Sequence, residues 1–256
     1  MSCRERLYRR RELVSNKRLG GEVFELAVSW GGPTPEPGQF FMLRAERSAV
    51  LLGRPISVFG VFETTLSFVI AERGLGTREL ASLREGDGVL LEGPLGSAWE
   101  AGTKARRGDP RGDLPLALLG GGIGLAPIAF LARGLPAGAF DLYAGFRSGV
   151  WGLEGLSPRE LRVFTEDGSL GRKGRVLDGF DPANYAGIYA CGPEPMLRSL
   201  ARIAREGGVP AWISLERRMA CGVGACLGCA VRCKGGNRRA CVEGPVFLAE
   251  EVIFDD

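Results

Sequence analysis

The sequence predicts a multi-domain protein that combines β and α/β folds. We expect an N-terminal antiparallel Greek-key β-barrel, then a doubly wound α/β domain, then a small C-terminal domain made of a loop and a hairpin. Three observations lead to this prediction. Short apolar runs separated by Gly and Pro fill the first hundred residues, strands alternate with helical patterns from Leu114, and five of the seven cysteines fall within residues 213–256.

The predicted barrel domain covers residues 1–100. Its strands are β-branched or aromatic runs of strand length, VFELAVSW, FFMLRA, ISVFGVF and TLSFVIAE. A helix is expected at RELASL. The stretch EAGTKARRGDPRGD at 100–113 is polar and rich in glycine, and it contains Pro110, so it is predicted to be a linker.

The predicted α/β domain covers residues 113–212. Its strands are short apolar runs that suit a buried parallel sheet, LPLALLGG, AFDLYAGF, LRVFTEDG and YAGIYACGP. Helices are expected at APIAFLARGL and EPMLRSLARIAREGG, with a weaker one near SPRELR. The uncharged run from Leu114 to Ala132 approaches membrane-spanning length, but its glycines and prolines favour a strand, a turn and a helix start.

Composition excludes several classes of function. The chain is 45% hydrophobic and 25% charged, which is typical of a soluble globular protein, and its net charge of +3 gives no argument for a nucleic-acid partner. There is no histidine, so triads, zinc sites and acid–base steps that need histidine are excluded. The charged N-terminus predicts no signal peptide. Seven cysteines then indicate a reducing compartment, and we expect a cytoplasmic protein.

The cysteine-rich segment, residues 213–256, carries the most specific motif. Cys221-x4-Cys226-x2-Cys229 is the spacing of plant-type 2Fe–2S ligands, and the glycines between them allow the backbone close to a cluster. Cys241 is favoured as the fourth ligand over Cys233, because a Cys229–Cys233 pair would crowd one iron. The alternative is a structural zinc site, but zinc modules usually have two well-separated cysteine pairs.

Two weaker motifs in the barrel indicate a flavin dinucleotide. Arg54-Pro55-Ile56-Ser57 begins a strand, where a guanidinium can clamp a pyrophosphate and a hydroxyl can reach a flavin ring. Gly76-Thr77 precedes the predicted RELASL helix, where amides and the Thr77 hydroxyl could bind phosphate. Each motif alone is also typical of ordinary strand and helix ends.

The α/β domain carries a glycine run that indicates a second nucleotide. Gly120-Gly121-Gly122-Ile123-Gly124 follows a buried strand and precedes a helix, so a pyrophosphate could approach the backbone there. A turn that only reverses the chain is the alternative. Cys191-Gly192-Pro193 ends the last α/β strand, at the sheet edge where such folds bind ligands.

With these pieces assembled, the chain resembles the electron-transfer subunits of class B dihydroorotate dehydrogenases, within the ferredoxin–NADP reductase superfamily. The resemblance covers essentially the whole chain. It rests on RPIS, GLGT, EGPLG, GGGIGLAP, TEDGSLGRKG, YACGPEPML, LERRMACGVGACLGCAVRC and CVEGPVF. The chain departs from the family at Ser97-Ala98, where members often carry a polar residue and a glycine.

The resemblance implies three cofactors and their residues. FAD is expected at Arg54, Pro55, Ile56, Ser57, Gly76 and Thr77 and at the backbone of Val69, Ile70 and Ala71. NAD is expected at Gly120, Gly121, Gly122, Gly124, Cys191, Gly192 and Pro193, and the 2Fe–2S cluster at Cys221, Cys226, Cys229 and Cys241.

The resemblance also implies a function and a partner. An FMN-containing catalytic subunit, in a complex of two plus two chains, oxidises dihydroorotate in pyrimidine (UMP) biosynthesis. Electrons then pass through the 2Fe–2S cluster and FAD to NAD+. No membrane or nucleic-acid partner is expected. The alternatives are the similar subunits of NADH-dependent ferredoxin–NADP oxidoreductases, sulfide dehydrogenases and hydrogenases, a free-standing NADH diaphorase, and a zinc-stabilised interaction module.

Overall fold

A computed structural model describes residues 7–99 and 111–254 of the chain. Most of the predicted linker, residues 100–110, lies outside the described residues. The described part contains a closed β-barrel, a seven-stranded sheet and a two-stranded hairpin. The predicted fold class is confirmed.

The first unit is a barrel of six antiparallel strands with one short helix. The bounds are β1 Leu7–Gly20, β2 Val23–Ser29, β3 Phe40–Ala45, β4 Arg54–Phe62, β5 Thr65–Ala71, α1 Leu75–Ala81 and β6 Gly88–Leu95. The strands close in the order β1-β2-β5-β4-β3-β6. Inward-facing residues alternate with others along β2, so Leu26 and Val28 are fully buried while Ala27 lies between them on the other face.

The second unit is a seven-stranded sheet with two main helices. The bounds are β7 Leu116–Gly121, α2 Leu125–Arg133, β8 Phe140–Phe146, β9 Glu160–Thr165, β10 Arg172–Lys173, β11 Gly187–Cys191, α3 Glu194–Glu206, β12 Ala211–Ser214 and β15 Val246–Leu248. The order is β10-β9-β8-β7-β11-β12-β15, parallel except for the last strand. Helix α2 covers one face and α3 the other, because Leu118 packs with α2 while its neighbour Leu119 packs with α3. Within residues 7–99 and 111–254, no helix has the length and apolar character to cross a bilayer.

The weak helix predicted near SPRELR is wrong. Glu160 instead starts β9, which pairs in parallel with β8, and Arg159 holds the buried Asp141 with two hydrogen bonds of 2.9 and 2.7 Å. Sheet pairing and the burial of Phe164 near the end of β9 outweigh the local helix preference of this stretch. The sequence prediction also missed β1, β6, β10, β12 and β15.

The cysteine-rich segment joins both larger units. It forms a hairpin of β13, Ala230–Cys233, and β14, Gly236–Arg239, with the turn at the predicted KGGN. Its last strand, β15, pairs with β12 and so completes the seven-stranded sheet. On the barrel side, the amide of Ser97 donates to the Gly244 carbonyl at 2.5 Å. The segment is therefore fixed between the barrel and the sheet.

Candidate functional site

The cysteine loop runs from the end of β12 to the start of β13 and packs against the barrel. Gly222 and Gly224 have φ values of +65° and +82°, which glycine adopts without strain. A Cβ on Gly222 would lie 2.8 Å from the Met42 Cγ of β3, and one on Gly224 would lie 2.6 Å from the Val242 Cγ2. Only glycine lets the loop approach these neighbours.

Two cysteines form an outer pair at the loop surface. The amide of Cys226 donates to the Cys221 Sγ at 3.4 Å, and the amide of Gly228 donates to the Cys226 Sγ at 3.5 Å. Burial raises the pKa of Cys221, but the amides of Cys226, Val223 and Ala225 outweigh it and lower that pKa to about 6. The backbone therefore stabilises thiolate at this position, which is the form that binds iron.

Two other cysteines form an inner pair, Cys229 and Cys241, each 2% exposed, with their sulfur atoms 3.3 Å apart. The hairpin explains the pairing. Cys229 directly precedes β13 and Cys241 lies just after β14, and the amide of Ala240 donates to the Cys229 carbonyl at 3.0 Å. Burial and the hydrogen bond to Cys229 raise the pKa of Cys241 to about 12. Two facing buried thiols would ionise together only beside a cation.

Cys233 lies at the other end of the hairpin. It pairs with Gly236 next to the turn, four residues from Cys229, which is roughly 13 Å along an extended strand. The Cys233 side chain is buried in the same hydrophobic core as the residues of α3, and burial raises its pKa. Of the two candidates for a fourth ligand, Cys241 is the one whose sulfur contacts the sulfur of Cys229.

The four thiols suit a 2Fe–2S cluster because they form two pairs, and each iron of such a cluster takes two cysteine ligands. In the ranges 7–99 and 111–254, no three Cys, Asp or Glu side chains are arranged to hold one metal ion. The donor set is all sulfur, which suits iron–sulfur chemistry.

The predicted flavin residues line a gap between two barrel strands. Arg54 to Ser57 of β4 pair with β3, whereas pairing between β4 and β5 begins only at Val58 and Phe68. Val69 to Ala71 of β5 pair with β2 on their other side. The two strands are therefore unpaired with each other along both predicted segments, and the space between them is called the flavin cleft below.

The start of α1 closes one end of this cleft. Contrary to the prediction, Gly76 and Thr77 lie inside α1 rather than before it. A Cβ on Gly76 would lie 2.7 Å from the Arg54 Nε, so glycine lets the guanidinium rest on the helix start. The Thr77 hydroxyl donates to the Gly74 carbonyl at 3.1 Å and accepts from the Arg73 amide at 2.9 Å. Because that hydroxyl already bonds to the backbone of the turn, Arg54 and the backbone amides are the groups suited to bind a pyrophosphate.

The predicted nucleotide residues meet at the carboxyl edge of the sheet, where β7 and β11 are neighbours. A Cβ on Gly124 would lie 2.4 Å from the Cys191 carbonyl oxygen, and one on Gly192 would lie 3.1 Å from the Gly121 Cα. Gly122 differs, because its φ is +55° and no atom lies within 4 Å of an added Cβ. Gly121, Gly124 and Gly192 thus have a packing role, while Gly122 faces open space.

Cys191 and Pro193 lie at the same edge. The Cys191 thiol is buried, and burial followed by the charge of Glu216 raises its pKa, so it is a neutral thiol. Pro193 immediately precedes α3, and a Cβ on Gly121 would lie 3.0 Å from its Cδ.

Comparison with known proteins identifies the family. The model for the iron–sulfur cluster binding domain of dihydroorotate dehydrogenase B matches residues 216–253. A relative in Clostridium acetobutylicum, named the electron transfer subunit of dihydroorotate dehydrogenase B (NAD+), is 38% identical over 96% of this chain and 97% of its own. A protein of the same name in Geobacillus kaustophilus is 36% identical over 96% of this chain and 99% of its own. This chain belongs to the dihydroorotate dehydrogenase B electron transfer subunit family.

Solved structures place the fold of this electron transfer subunit among flavoprotein reductases. A structure of an NADH-dependent reduced ferredoxin–NADP oxidoreductase matches with a TM-score of 0.79 and 29% identity, over 95% of this chain and 89% of the other. Phthalate dioxygenase reductase shares the fold with a TM-score of 0.58 and 16% identity, over 89% of this chain and 87% of the other. As a member of this family, the subunit binds a 2Fe–2S cluster, FAD and NAD(H), and it works with a catalytic subunit.

Sequence reasoning missed the residues that hold these sites together. Met42 contacts Gly222 of the cysteine loop and pairs with Pro55 of the flavin strand, so it lies between the two predicted sites. Glu79 of α1 accepts hydrogen bonds from Ser48 and from the amide of Ala49, which fixes the loop before Arg54. No local pattern marks these residues, because their role depends on contacts distant in sequence.

Proposed function

We propose that this electron transfer subunit carries electrons from an FMN-containing dihydroorotate dehydrogenase catalytic subunit to NAD+ in pyrimidine biosynthesis. One observation carries the proposal. Gly222, the residue after Cys221 in the cysteine loop, lies against Met42, and Met42 is the strand partner of Pro55 in the predicted flavin cleft. A cluster held by the loop would thus neighbour a flavin held in the cleft.

The chain's own residues have distinct roles in this proposal. Cys221, Cys226, Cys229 and Cys241 would ligate the cluster, with backbone amides stabilising the outer thiolates. Arg54 and the amides of Gly76 and Thr77 would bind the FAD pyrophosphate, and the remaining flavin contacts would come from Pro55, Ile56, Ser57, Val69, Ile70 and Ala71.

The sheet edge would bind the nicotinamide nucleotide. Gly122 offers open space and a free approach to the backbone, while Gly120, Gly121, Gly124, Cys191, Gly192 and Pro193 set the shape of that edge. When bound, the cluster supplies one-electron chemistry and the flavin both one-electron and two-electron chemistry. The chain has no histidine, and the proposal requires no side chain as a proton donor.

The deciding experiment is anaerobic reduction of NAD+ by dihydroorotate. A dihydroorotate dehydrogenase B catalytic subunit is assayed alone and after co-expression with this chain. We expect NAD+ reduction only when this chain is present, together with iron, labile sulfide and FAD in the purified complex. NAD+ reduction by the catalytic subunit alone, or a complex that contains zinc in place of iron, would contradict the proposal.

A second function is favoured by the 29% identical NADH-dependent ferredoxin–NADP oxidoreductase structure. In that case the chain would serve a complex that exchanges electrons with ferredoxin. Replacing dihydroorotate by reduced ferredoxin in the same assay distinguishes the two, because only the supported donor should give NADH.

The partner's cofactor, the stoichiometry and the location are also proposals. We propose an FMN-containing partner in a two-plus-two heterotetramer, as the family resemblance implies, and the name electron transfer subunit shared by the relatives supports a partner subunit. We propose a cytoplasmic location, supported by thiols that must stay reduced to bind iron. Native mass spectrometry of the co-expressed complex measures the stoichiometry.

A further inference from the structure

A β-bulge in the flavin strand points to a residue with a role beyond the sites above. The ladder between β4 and β5 pairs Val58 with Phe68 and then Gly60 with Ser67, so Phe59 is an extra residue in β4. A bulge takes its residue out of the regular ladder and re-aims its side chain. Phe59 accordingly packs with α2 of the sheet unit, while its neighbour Val58 packs inside the barrel.

Arg133 contacts the bulged residue Phe59. It is the last residue of α2, and its Nη1 donates to the Phe59 carbonyl at 2.7 Å. Its guanidinium lies 4.3 Å from the centroid of the Phe59 ring and 5.5 Å from that of Phe62. One side chain of the sheet unit thus contacts both the backbone and the ring of the bulged residue.

These contacts are the ones that a half-buried cation requires. Among the described residues, no carboxylate forms an ion pair with Arg133. Burial lowers the pKa of the guanidinium, and the more distant charges of Glu25 and Glu154 oppose that effect. A charged hydrogen bond to a carbonyl and two aromatic faces therefore compensate for its lost hydration.

The contact joins the two elements that lead from the predicted cofactor sites. Phe59 lies two residues after Ser57 of the flavin strand, and α2 begins at Leu125, directly after the glycine turn at residues 120–124. A Cβ on Gly152 would lie 3.3 Å from the Phe59 ring and 3.7 Å from the Leu125 Cδ2, so the ring also lies near the start of α2. Helix α2, roughly 13 Å long, is thus bonded to β4 at its last residue, and its first residue shares the neighbour Gly152 with the Phe59 ring.

We propose that Arg133 is a positioning residue, which sets the distance between the nucleotide-binding sheet edge and the flavin strand by holding α2 on the Phe59 bulge. This proposal rests on the proposed function, because it concerns how NADH meets the flavin. NADH would transfer a hydride, which is two electrons and one proton, to the flavin and leave as NAD+. That step is sensitive to misplacement of about 1 Å, which can change a rate about 100-fold.

The experiment measures anaerobic flavin reduction by NADH in stopped flow, with wild type, R133M, R133K and R202M as holoproteins. R133M removes the hydrogen bond and the charge but keeps an unbranched apolar side chain. R133K keeps the charge and one donor without the planar contact. Arg202 is the matched control, because it is an exposed arginine on α3 that pairs only with Glu206 among the described residues.

We expect R133M to lower the limiting rate of flavin reduction by about 10-fold to 100-fold, with the NADH dissociation constant unchanged within about twofold. R133K should recover part of the rate, and R202M should match wild type. In the cofactor-free chain, the amides of Phe59 and Gly60 should exchange hydrogen faster in R133M than in R202M.

Several outcomes would overturn the inference. One is a wild-type rate per bound flavin in R133M, and another is a loss of flavin that fully accounts for the lost activity. If R133M does not fold, R133K decides, since an unchanged limiting rate in R133K contradicts the role. Failure of the proposed function looks different, because NADH would then fail to reduce the flavin of the wild-type protein.

Discussion

The cysteine loop and the network around Asp141 both concentrate polar groups with shifted pKa values, but they differ in how those groups are paired. In the network, the buried Asp141 accepts two hydrogen bonds from Arg159 and one of 3.0 Å from Tyr185. Tyr185 and Tyr143 share a hydrogen bond of 2.6 Å, and Arg162 donates to Tyr143 at 2.7 Å. Every member has a partner of complementary character.

The cysteine loop lacks such complementarity. Its inner pair places two thiols of the same kind 3.3 Å apart in a buried position. Its outer pair accepts hydrogen bonds from backbone amides. Shifted pKa values therefore accompany two different arrangements. In the Asp141 network they accompany stabilising contacts between complementary groups, and at the cysteines they accompany like groups that converge where a cation would bind.

The largest expected effect concerns the inner thiol pair. C241S should reduce bound iron to near zero and abolish dihydroorotate-dependent NAD+ reduction, because serine is a poor substitute for a thiolate ligand. The matched variant is C233S, which alters a buried cysteine in the same hairpin. C233S should keep full iron content at a stability cost of about 1 kcal/mol. Iron analysis and urea unfolding of both proteins measure this, and equal iron loss in the two would remove the distinction between them.

A second prediction tests the glycine turn of the sheet edge. G122A should weaken NADH binding by about tenfold or more, since its methyl group would enter the open space where the nucleotide is expected. Gly138 is the control, because its φ of +75° and its open surroundings match those of Gly122 at a place remote from the site. Both variants should lose about 1 kcal/mol of stability from backbone strain. Equal NADH affinity in G122A and wild type would favour a turn that only reverses the chain.

How much the sequence predicts depends on how local the cause is. The strand of FFMLRA was predicted with its observed bounds, because an apolar run of strand length and a nearby glycine act within a few residues. The SPRELR helix was wrong, because Asp141, nearly twenty residues away, selects a strand there by binding Arg159. Spacing alone favours Cys241 over Cys233 as the fourth ligand. The register of the hairpin, which places Cys241 beside Cys229, depends on strand pairing that no local pattern predicts. No local sequence pattern predicts the Phe59 bulge or its contact with Arg133.

A third prediction concerns the complementary region. D141N should destabilise the protein by about 2 kcal/mol, because the Arg159 guanidinium loses its charged acceptor. E160Q breaks the half-exposed Glu160–Arg162 pair on the next strand and should change stability by about 0.5 kcal/mol or less. Urea unfolding measures both. Iron and flavin contents should stay at wild-type levels, and loss of either cofactor in D141N would show that the network also shapes the sites.

The smallest effect is the pH dependence of that network. Burial raises the pKa of Asp141, but the hydrogen bonds from Arg159 and Tyr185 outweigh burial and hold the pKa below its usual value. Because the folded state then binds protons less readily than the unfolded state, the stabilisation by Asp141 is complete above about pH 4 and is lost as the pH falls further. The side-chain amide that D141N introduces does not titrate in this range, so the stability gap between wild type and D141N should narrow on acidification from about pH 6 to about pH 3. Urea unfolding across that range measures the gap. A gap that stays constant would mean that the Asp141 pKa is the same in both states, and that the network stabilises the sheet by packing rather than by charge.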